Sequence, residues 1–112
     1  MKAVKPKEAA GFTVKCLDKL IEAATTDAYN ESEQVSGFLT LIDDNLAVPF
    51  TTFVLGQTVI VTGVDLTESD QIVAICMLGN TAQAIPVLDL PMPTPLTEGA
   101  EWIAAYRRWC GS

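Results

Sequence analysis

Two neighbouring aspartates and an asparagine, Asp43, Asp44 and Asn45, stand between an apolar run typical of a helix and one typical of a strand. Their position predicts the carboxyl end of a helix, where the helix dipole disfavours each anionic side chain by about 0.3–1 kcal/mol. Either water solvates these carboxylates or a cation balances them, since the chain has no histidine and only seven lysine and arginine residues. The stretch therefore raises the hypothesis of a cation-binding site.

The oxygen ligands of this stretch are of the kind that calcium accepts. It takes roughly six to eight oxygen ligands from carboxylates, amides, backbone carbonyls and water, and it tolerates irregular geometry. Asp43 and Asp44 point about 100° apart on a helix, so one could ligate the ion while the other supports it. Asn45 and the free carbonyls of residues 42–46 would add neutral oxygens. The alternative is a solvated charged surface, and a cation accounts better for acids at this helix end.

Two further groups of acids could contribute ligands. One lies in the turn before the second predicted helix, where its acids could instead cap that helix, because Asn30 stands three residues before a glutamate. The other lies between two predicted strands, where it could simply make a loop soluble. Neither group matches the EF-hand loop, so a calcium site would be assembled from separated segments. The residues of these two groups are Asp27, Glu31 and Glu33, and Asp65, Glu68 and Asp70.

Charge and composition limit the classes of partner. Fourteen acidic residues against seven basic ones give a net charge of −7, which disfavours nucleic acid and anionic membranes. The 112 residues are expected to form a single domain, with residues 1–10 flexible. No apolar run approaches the roughly 20 residues of a membrane helix. The first residues also lack the apolar segment of a secretory signal, so a cytoplasmic location is expected.

Catalysis is not expected from these residues. Without histidine, neither a Cys/His pair nor a serine triad can form. Cys16, Cys76 and Cys110 are widely spaced and odd in number, so they are predicted to be small buried hydrophobic residues rather than metal ligands. Paired carboxylates could hydrolyse a glycoside, but a small domain whose aromatic residues belong to the core has little room for a sugar cleft.

Apolar residues at spacings of three and four predict the helices that would position these groups. One helix is predicted to end near residue 28, a second to begin near Asn30 and end at the aspartate pair, and a third to close the chain. Arg107 and Arg108 are expected off the apolar face of the third helix. The predicted apolar faces are Thr13, Leu17, Leu20, Ile21, Ala24 and Ala28; Val35, Phe38, Leu39, Ile42 and Leu46; and Trp102, Ile103, Tyr106, Trp109 and Cys110.

Four strands are predicted over residues 50–88, joined by hairpin turns around Gly56-Gln57 and Gly79-Asn80. The predicted fold class is α+β, with two amino-terminal helices, a four-stranded antiparallel meander and a carboxyl-terminal helix. A small SH3-like barrel is an alternative arrangement of the strands. A proline-rich strap at 88–99 ends the sheet.

The third predicted strand is apolar on both faces, so it should be central, with a cover on each side supplied by helices or another subunit. The apolar content of the chain also exceeds what a two-layer domain of this size must hide. A symmetric homodimer through strand edges or faces near residues 71–88 is therefore expected.

Three long blocks carry a resemblance to a known family: "ATTDAYNESEQVSGFLTLIDDNLAVPFTTFVLGQTVIVTGVDLTESDQIVAICMLG", "IPVLDLPMP" and "EGAEWIAAYRRW". Over roughly residues 17–109 the chain resembles the small acidic bacterial proteins grouped with the cyanobacterial calcium-binding protein CcbP. The resemblance implies a compact protein of helices and a sheet that binds Ca²⁺ without EF-hands, as a buffer or a sensor. The alternative is an acidic interaction module that binds no metal and docks an unknown basic protein or a second copy of itself.

Overall fold

The computed structural model describes residues 12–111, and the predicted flexibility of residues 1–10 lies outside this range. Three helices pack together, and α2 also contacts the second strand of a four-stranded antiparallel sheet. The predicted α+β class and order of elements are confirmed. The elements are α1 (Val14–Thr25), α2 (Glu31–Asn45), β1 (Phe50–Val54), β2 (Gln57–Leu66), β3 (Ile72–Leu78), β4 (Thr81–Pro86), a 3-10 turn (Val87–Asp89) and α3 (Ala100–Cys110).

Local side-chain hydrogen bonds set the boundaries of the first two helices. Thr13 does not lie on the apolar face as predicted; its hydroxyl caps α1 by accepting the N–H of Cys16 at 3.1 Å. Ala28 was also predicted to belong to this helix, but α1 ends at Thr25. The next turn places Asp27 at φ 64°, a left-handed conformation that cannot continue a right-handed helix.

The sheet is an open meander in the order β1-β2-β3-β4, so the strands do not close into the SH3-like barrel that was the alternative. Hydrogen-bonded pairing places Val61 beside Cys76, and both side chains are buried. On the neighbouring row, Ile60 lies beside Met77 and points to the other face. We call the first, helix-side face the inner face and the second the outer face. The core draws its side chains from the inner face.

The central position predicted for β3 is confirmed, since it pairs with β2 on one side and β4 on the other. In the described part of the chain the outer face of β3 is covered only in part, at Val73, and the cover that another subunit was predicted to supply stays a prediction. Ile72, Ala74 and Cys76 are buried under the helices, whereas Ile75 and Met77 on the outer face are only half-buried. Within residues 12–111, neither of these two belongs to the hydrophobic core.

The strap, residues 88–99, follows Val87 and crosses the inner face from β4 at one edge of the sheet to β1 at the other. Val87 and Leu90 are buried at its start, and the hydroxyl of Thr52 in β1 donates to the carbonyl of Pro91 at 2.6 Å. Arg107 was predicted to lie off the apolar face of α3, but its side chain is half-buried beside the strap. Its guanidinium donates to the Val87 carbonyl at 2.9 Å and to the Leu90 carbonyl, so α3 holds the strap in place.

An aromatic cluster closes the core between α2 and α3, as the predicted apolar faces require. The rings of Phe38 and Tyr106 lie 5.5 Å apart edge to face, and Trp109 lies 5.2 Å from Phe38. The prediction of three buried cysteines is wrong for two of them. Cys76 is buried, whereas Cys16 and Cys110 are exposed at the ends of surface helices.

Burial of Tyr106 predicts a loss of stability at alkaline pH. Desolvation, followed by a hydrogen bond with Cys110, raises the pKa of Tyr106 from 10.0 to about 12. The folded state therefore favours the neutral phenol. This contribution, on the order of 2–3 kcal/mol, is fully present below about pH 10 and disappears as the pH rises through about 12.

Urea unfolding at several alkaline pH values measures this effect. The variant Tyr106→Phe should lose most of the decline in stability over this pH range, because it has no phenol to ionise. Tyr29 is the second tyrosine and is exposed, so Tyr29→Phe should keep the decline and serves as the matched control. An equal decline in all three proteins would contradict the assignment to Tyr106.

Candidate cation site at the end of α2

The structure places the aspartate pair where the sequence predicts it, in the last turn of a helix. Helix α2 ends at Asn45, and Asp43, Asp44 and Asn45 are all exposed. The side-chain amide nitrogen of Asn45 donates to the Leu41 carbonyl at 2.7 Å, which leaves its Oδ1 available to a ligand. Two carboxylates and one amide oxygen thus stand at the negative end of the helix dipole.

The last turn of α2 also presents unpaired backbone oxygens. The Leu46 N–H donates to the Ile42 carbonyl at 2.8 Å and makes the final helical hydrogen bond. The Ala47 N–H, which would otherwise bond to Asp43, donates instead to the carbonyl of Glu98 in the strap at 2.7 Å. Within residues 12–111, the carbonyls of residues 43–45 therefore accept no hydrogen bond from beyond the helix end.

Two hydrogen bonds between the strap and Ala47, one accepted and one donated by the strap, hold this helix end in place. Besides the Glu98 carbonyl, the strap supplies the hydroxyl of Thr97, which donates to the Ala47 carbonyl at 2.9 Å. Gly99 follows at φ 87°, and a Cβ there would lie 2.2 Å from the Asn45 carbonyl oxygen. Only glycine fits so close to the last turn of α2. Because α3 begins at Ala100, directly after Gly99, this contact also fixes the position of the end of α2 relative to α3.

Pairing with the strap places the backbone of a further acidic residue, Glu98, beside Ala47, although its carboxylate does not form a three-residue acidic group with Asp43 and Asp44 in the described chain. Glu98 is exposed and lies directly across from Ala47. The sequence does not predict a role for Glu98, because none of the residues adjacent to Glu98 indicates a contact with a residue about fifty positions earlier. The only local signal was an acid at the end of a proline-rich segment.

In the first acidic group, Glu33 takes part in the capping box that was the alternative interpretation. The Asn30 side chain accepts the N–H of Glu33 at 2.9 Å, and the Glu33 carboxylate accepts the N–H of Tyr29 at 2.9 Å. Asp27 lies in the preceding turn, and Glu31 is the first residue of the helix. Since α2 has 15 residues, this group lies about 20 Å from the aspartate pair. One ion cannot be held by both groups.

In the second acidic group, Asp65 lies at the end of β2 and its carboxylate has a local role, whereas Glu68 and Asp70 lie in the β2–β3 loop. Asp65 accepts the N–H of the residue that follows it at 2.8 Å. The loop closes around Thr67, whose hydroxyl accepts the N–H of Gln71 at 3.1 Å and whose carbonyl accepts that of Asp70 at 3.1 Å. Glu68 is exposed at the tip of this turn. The hydrogen bonds explain the turn without a ligand.

The three predicted acidic groups do not converge on one centre. Across residues 12–111, no three histidine, cysteine, aspartate or glutamate residues are grouped so that they could hold a metal ion. A calcium site at the end of α2 would therefore draw on two carboxylates, the Asn45 amide, backbone carbonyls and water. No basic side chain competes for the pair, because the one ion pair in the described chain joins Asp18 to Arg108 at 2.7 Å.

The fold and this helix end together define the class of protein. It is a small acidic α+β protein in which the strap is hydrogen-bonded just beyond the carboxyl end of a helix that carries two carboxylates. No protein-family model and no curated protein matches the sequence. Among solved structures, the crystal structure of Anabaena CcbP is similar, with a TM-score of 0.70 and 18% sequence identity, covering 98% of this chain and 95% of that chain. The two proteins share a fold over nearly their whole length, which confirms the resemblance seen in the sequence at the level of the fold.

None of the helices in the described part of the chain combines the length and the apolar character needed to cross a bilayer.

Proposed function

We propose that this protein binds Ca²⁺ at the carboxyl end of α2 and serves as a calcium buffer or sensor rather than as an enzyme. The observation that carries the proposal is the last turn of α2, where two exposed carboxylates stand beside unpaired backbone carbonyls without a basic partner. The fold shared with CcbP and the sequence resemblance support it. A cytoplasmic location, as expected from the sequence, belongs to the same proposal.

The chemistry of the donor set suits a hard cation. Asp43 and Asp44 would supply the negative charge, and Asn45 would supply a neutral oxygen with the neighbouring carbonyls. A bound cation would also interact favourably with the helix dipole that otherwise disfavours the two aspartates. The local roles of the other two acidic groups make them weaker candidates for the ion.

Isothermal titration calorimetry of the chelator-treated protein tests the proposal directly. Calcium should bind with a measurable, saturable heat. Magnesium should bind more weakly, because it requires near-ideal octahedral geometry and loses its water reluctantly. A protein that gives no heat and no saturation with calcium does not have the proposed function.

An interaction module without metal is the second candidate, and the uncharged sheet favours it. The acids lie on helices, loops and the end of β2, whereas residues 45–64 and 71–88 contain no charged side chain. In this case the carboxylates keep the protein soluble or meet a basic partner, and self-association follows from the sheet. A failed calcium titration combined with self-association would select this candidate.

A further inference from the structure

The outer face of the sheet is a continuous surface that no described helix covers. Strand register defines its rows: Ile60 lies beside Met77, and Ile75 lies between Gly63 and Ala84. Towards the β1 edge, Phe53 lies beside Thr58. The outer-face side chains of this region are Thr51, Phe53, Thr58, Ile60, Ile75, Met77, Ala82 and Ala84.

The large apolar residues of the outer face are left in contact with water. Phe53 is 62% exposed and Ile60 is 44% exposed, although each belongs to a regular strand. Ile75 and Met77 are only half-buried in the centre of the sheet. A contiguous exposed apolar surface of this kind commonly marks a protein contact.

The outer face carries a single charge in an otherwise strongly acidic protein, that of Asp65, which lies beside Val73 at one end of the face. The four strands and both hairpin turns contain one charged residue, Asp65, at the far end of β2. Of the net charge of −7, all but the one charge of Asp65 therefore resides on the rest of the molecule. Two copies approaching by any of those acidic surfaces would repel each other.

We propose that the outer face is the contact between two copies of this chain in a symmetric homodimer. A two-fold axis over the part of the outer face between Phe53 and Ile75 brings the same uncharged apolar surface of each copy together, with Asp65 at its margin and the other acids elsewhere. A basic protein partner would gain no ion pair on this face and would bind the acidic surfaces instead. Charge therefore favours a second copy as the occupant.

The size of the face sets the strength of the contact. Four strands about 4.8 Å apart, with lengths of five to ten residues, give a surface of roughly 20 Å by 25 Å. Each copy would bury about 500 Å², so the pair would bury about 1,000 Å², which is the lower limit for a specific interface. The dimer is expected to be weak and concentration-dependent.

Sedimentation equilibrium of the full chain over a concentration series tests the proposal. The apparent mass should rise from 12.0 kDa towards twice that value with concentration, and added salt should strengthen the association by screening the repulsion between copies. Ile60→Asp places two like charges in the contact and should raise the dissociation constant at least about tenfold, which corresponds to about 1.4 kcal/mol. Phe53→Asp tests the same face from the edge strand.

Leu55→Asp is the matched control, because Leu55 is 99% exposed in the β1–β2 turn and lies off the outer face. It should leave the dissociation constant unchanged. Circular dichroism of each variant at low concentration checks that the monomer folds. A chain that stays monomeric at about 1 mM overturns the proposal, as does a dimer that Leu55→Asp disrupts while both outer-face variants leave it intact.

Discussion

Calcium at about a hundredfold excess over its dissociation constant is expected to raise the melting temperature of this protein by about 10–20 °C. A ligand that binds only the folded state adds RT ln(1 + [L]/Kd) to the free energy of unfolding, about 2.7 kcal/mol at that excess. In a domain of roughly 100 residues, 1 kcal/mol moves the melting temperature by about 4–8 °C. Thermal denaturation followed by circular dichroism, with and without calcium, measures the shift.

Two double variants that remove the same charge locate the ion. Asp43→Asn with Asp44→Asn should abolish most of the calcium-dependent shift, whereas Asp65→Asn with Asp70→Asn should retain it. The first variant should be at least as stable as the unmutated protein without metal, because it relieves an unfavourable interaction with the helix dipole. Equal losses in both variants would indicate general charge screening. No shift in the unmutated protein would mean that the calcium proposal is wrong.

Replacing Gly99 with alanine is expected to destabilise the protein by about 3 kcal/mol or more. A left-handed backbone costs a non-glycine residue about 1–2 kcal/mol, and overpacking adds about 1–3 kcal/mol. The added methyl would lie 2.2 Å from the Asn45 carbonyl oxygen and 2.6 Å from the Leu46 Cα. Both are backbone atoms, so no side-chain rotation relieves the clash. Urea denaturation measures the difference in the free energy of unfolding.

Gly111→Ala is the matched control for this substitution. Gly99 and Gly111 flank α3 at its two ends, with φ values of 87° and 85°. A Cβ on Gly111 would lie more than 4 Å from the non-adjacent atoms of the described chain. This variant should therefore lose only the free energy of the left-handed backbone, about 1–2 kcal/mol. Equal losses of stability in the two variants would contradict the close contact between Gly99 and the last turn of α2.

Short-range signals account for the parts of the fold that sequence analysis predicted correctly. The Asn30 and Glu33 pair marks the start of α2, and the turn at Gly79-Asn80 lies where it was predicted. The turn predicted around Gly56-Gln57 lies one residue earlier, at 55–56, because Gln57 already pairs with Val54 in the sheet. The outcome at Ala28 shows the limit of this approach. Its apolar side chain continued the helical spacing, but the extended backbone of Thr26, with ψ 132°, had already ended the helix before the left-handed Asp27.

Long-range pairing accounts for what the sequence could not reveal about the site. The position of Asp43 and Asp44 at a helix end was predictable from their neighbours alone. The contact of Glu98 with Ala47 was not, because it depends on the path that the strap takes across the sheet. The burial of Arg107 beneath that strap has the same origin, since an arginine near a helix end ordinarily extends into solvent.

The hydrogen bond from Ala47 to the strap also provides a local reporter of opening. Because this N–H is bonded to Glu98 rather than to its own helix, it exchanges with deuterated solvent when the strap separates from α2, even while the helix stays intact. Helical amides earlier in α2 exchange only when the helix itself opens. The ratio of the observed to the intrinsic exchange rate of Ala47 therefore gives the free energy of detaching the strap, and the same ratio for the helical amides gives the free energy of opening the helix.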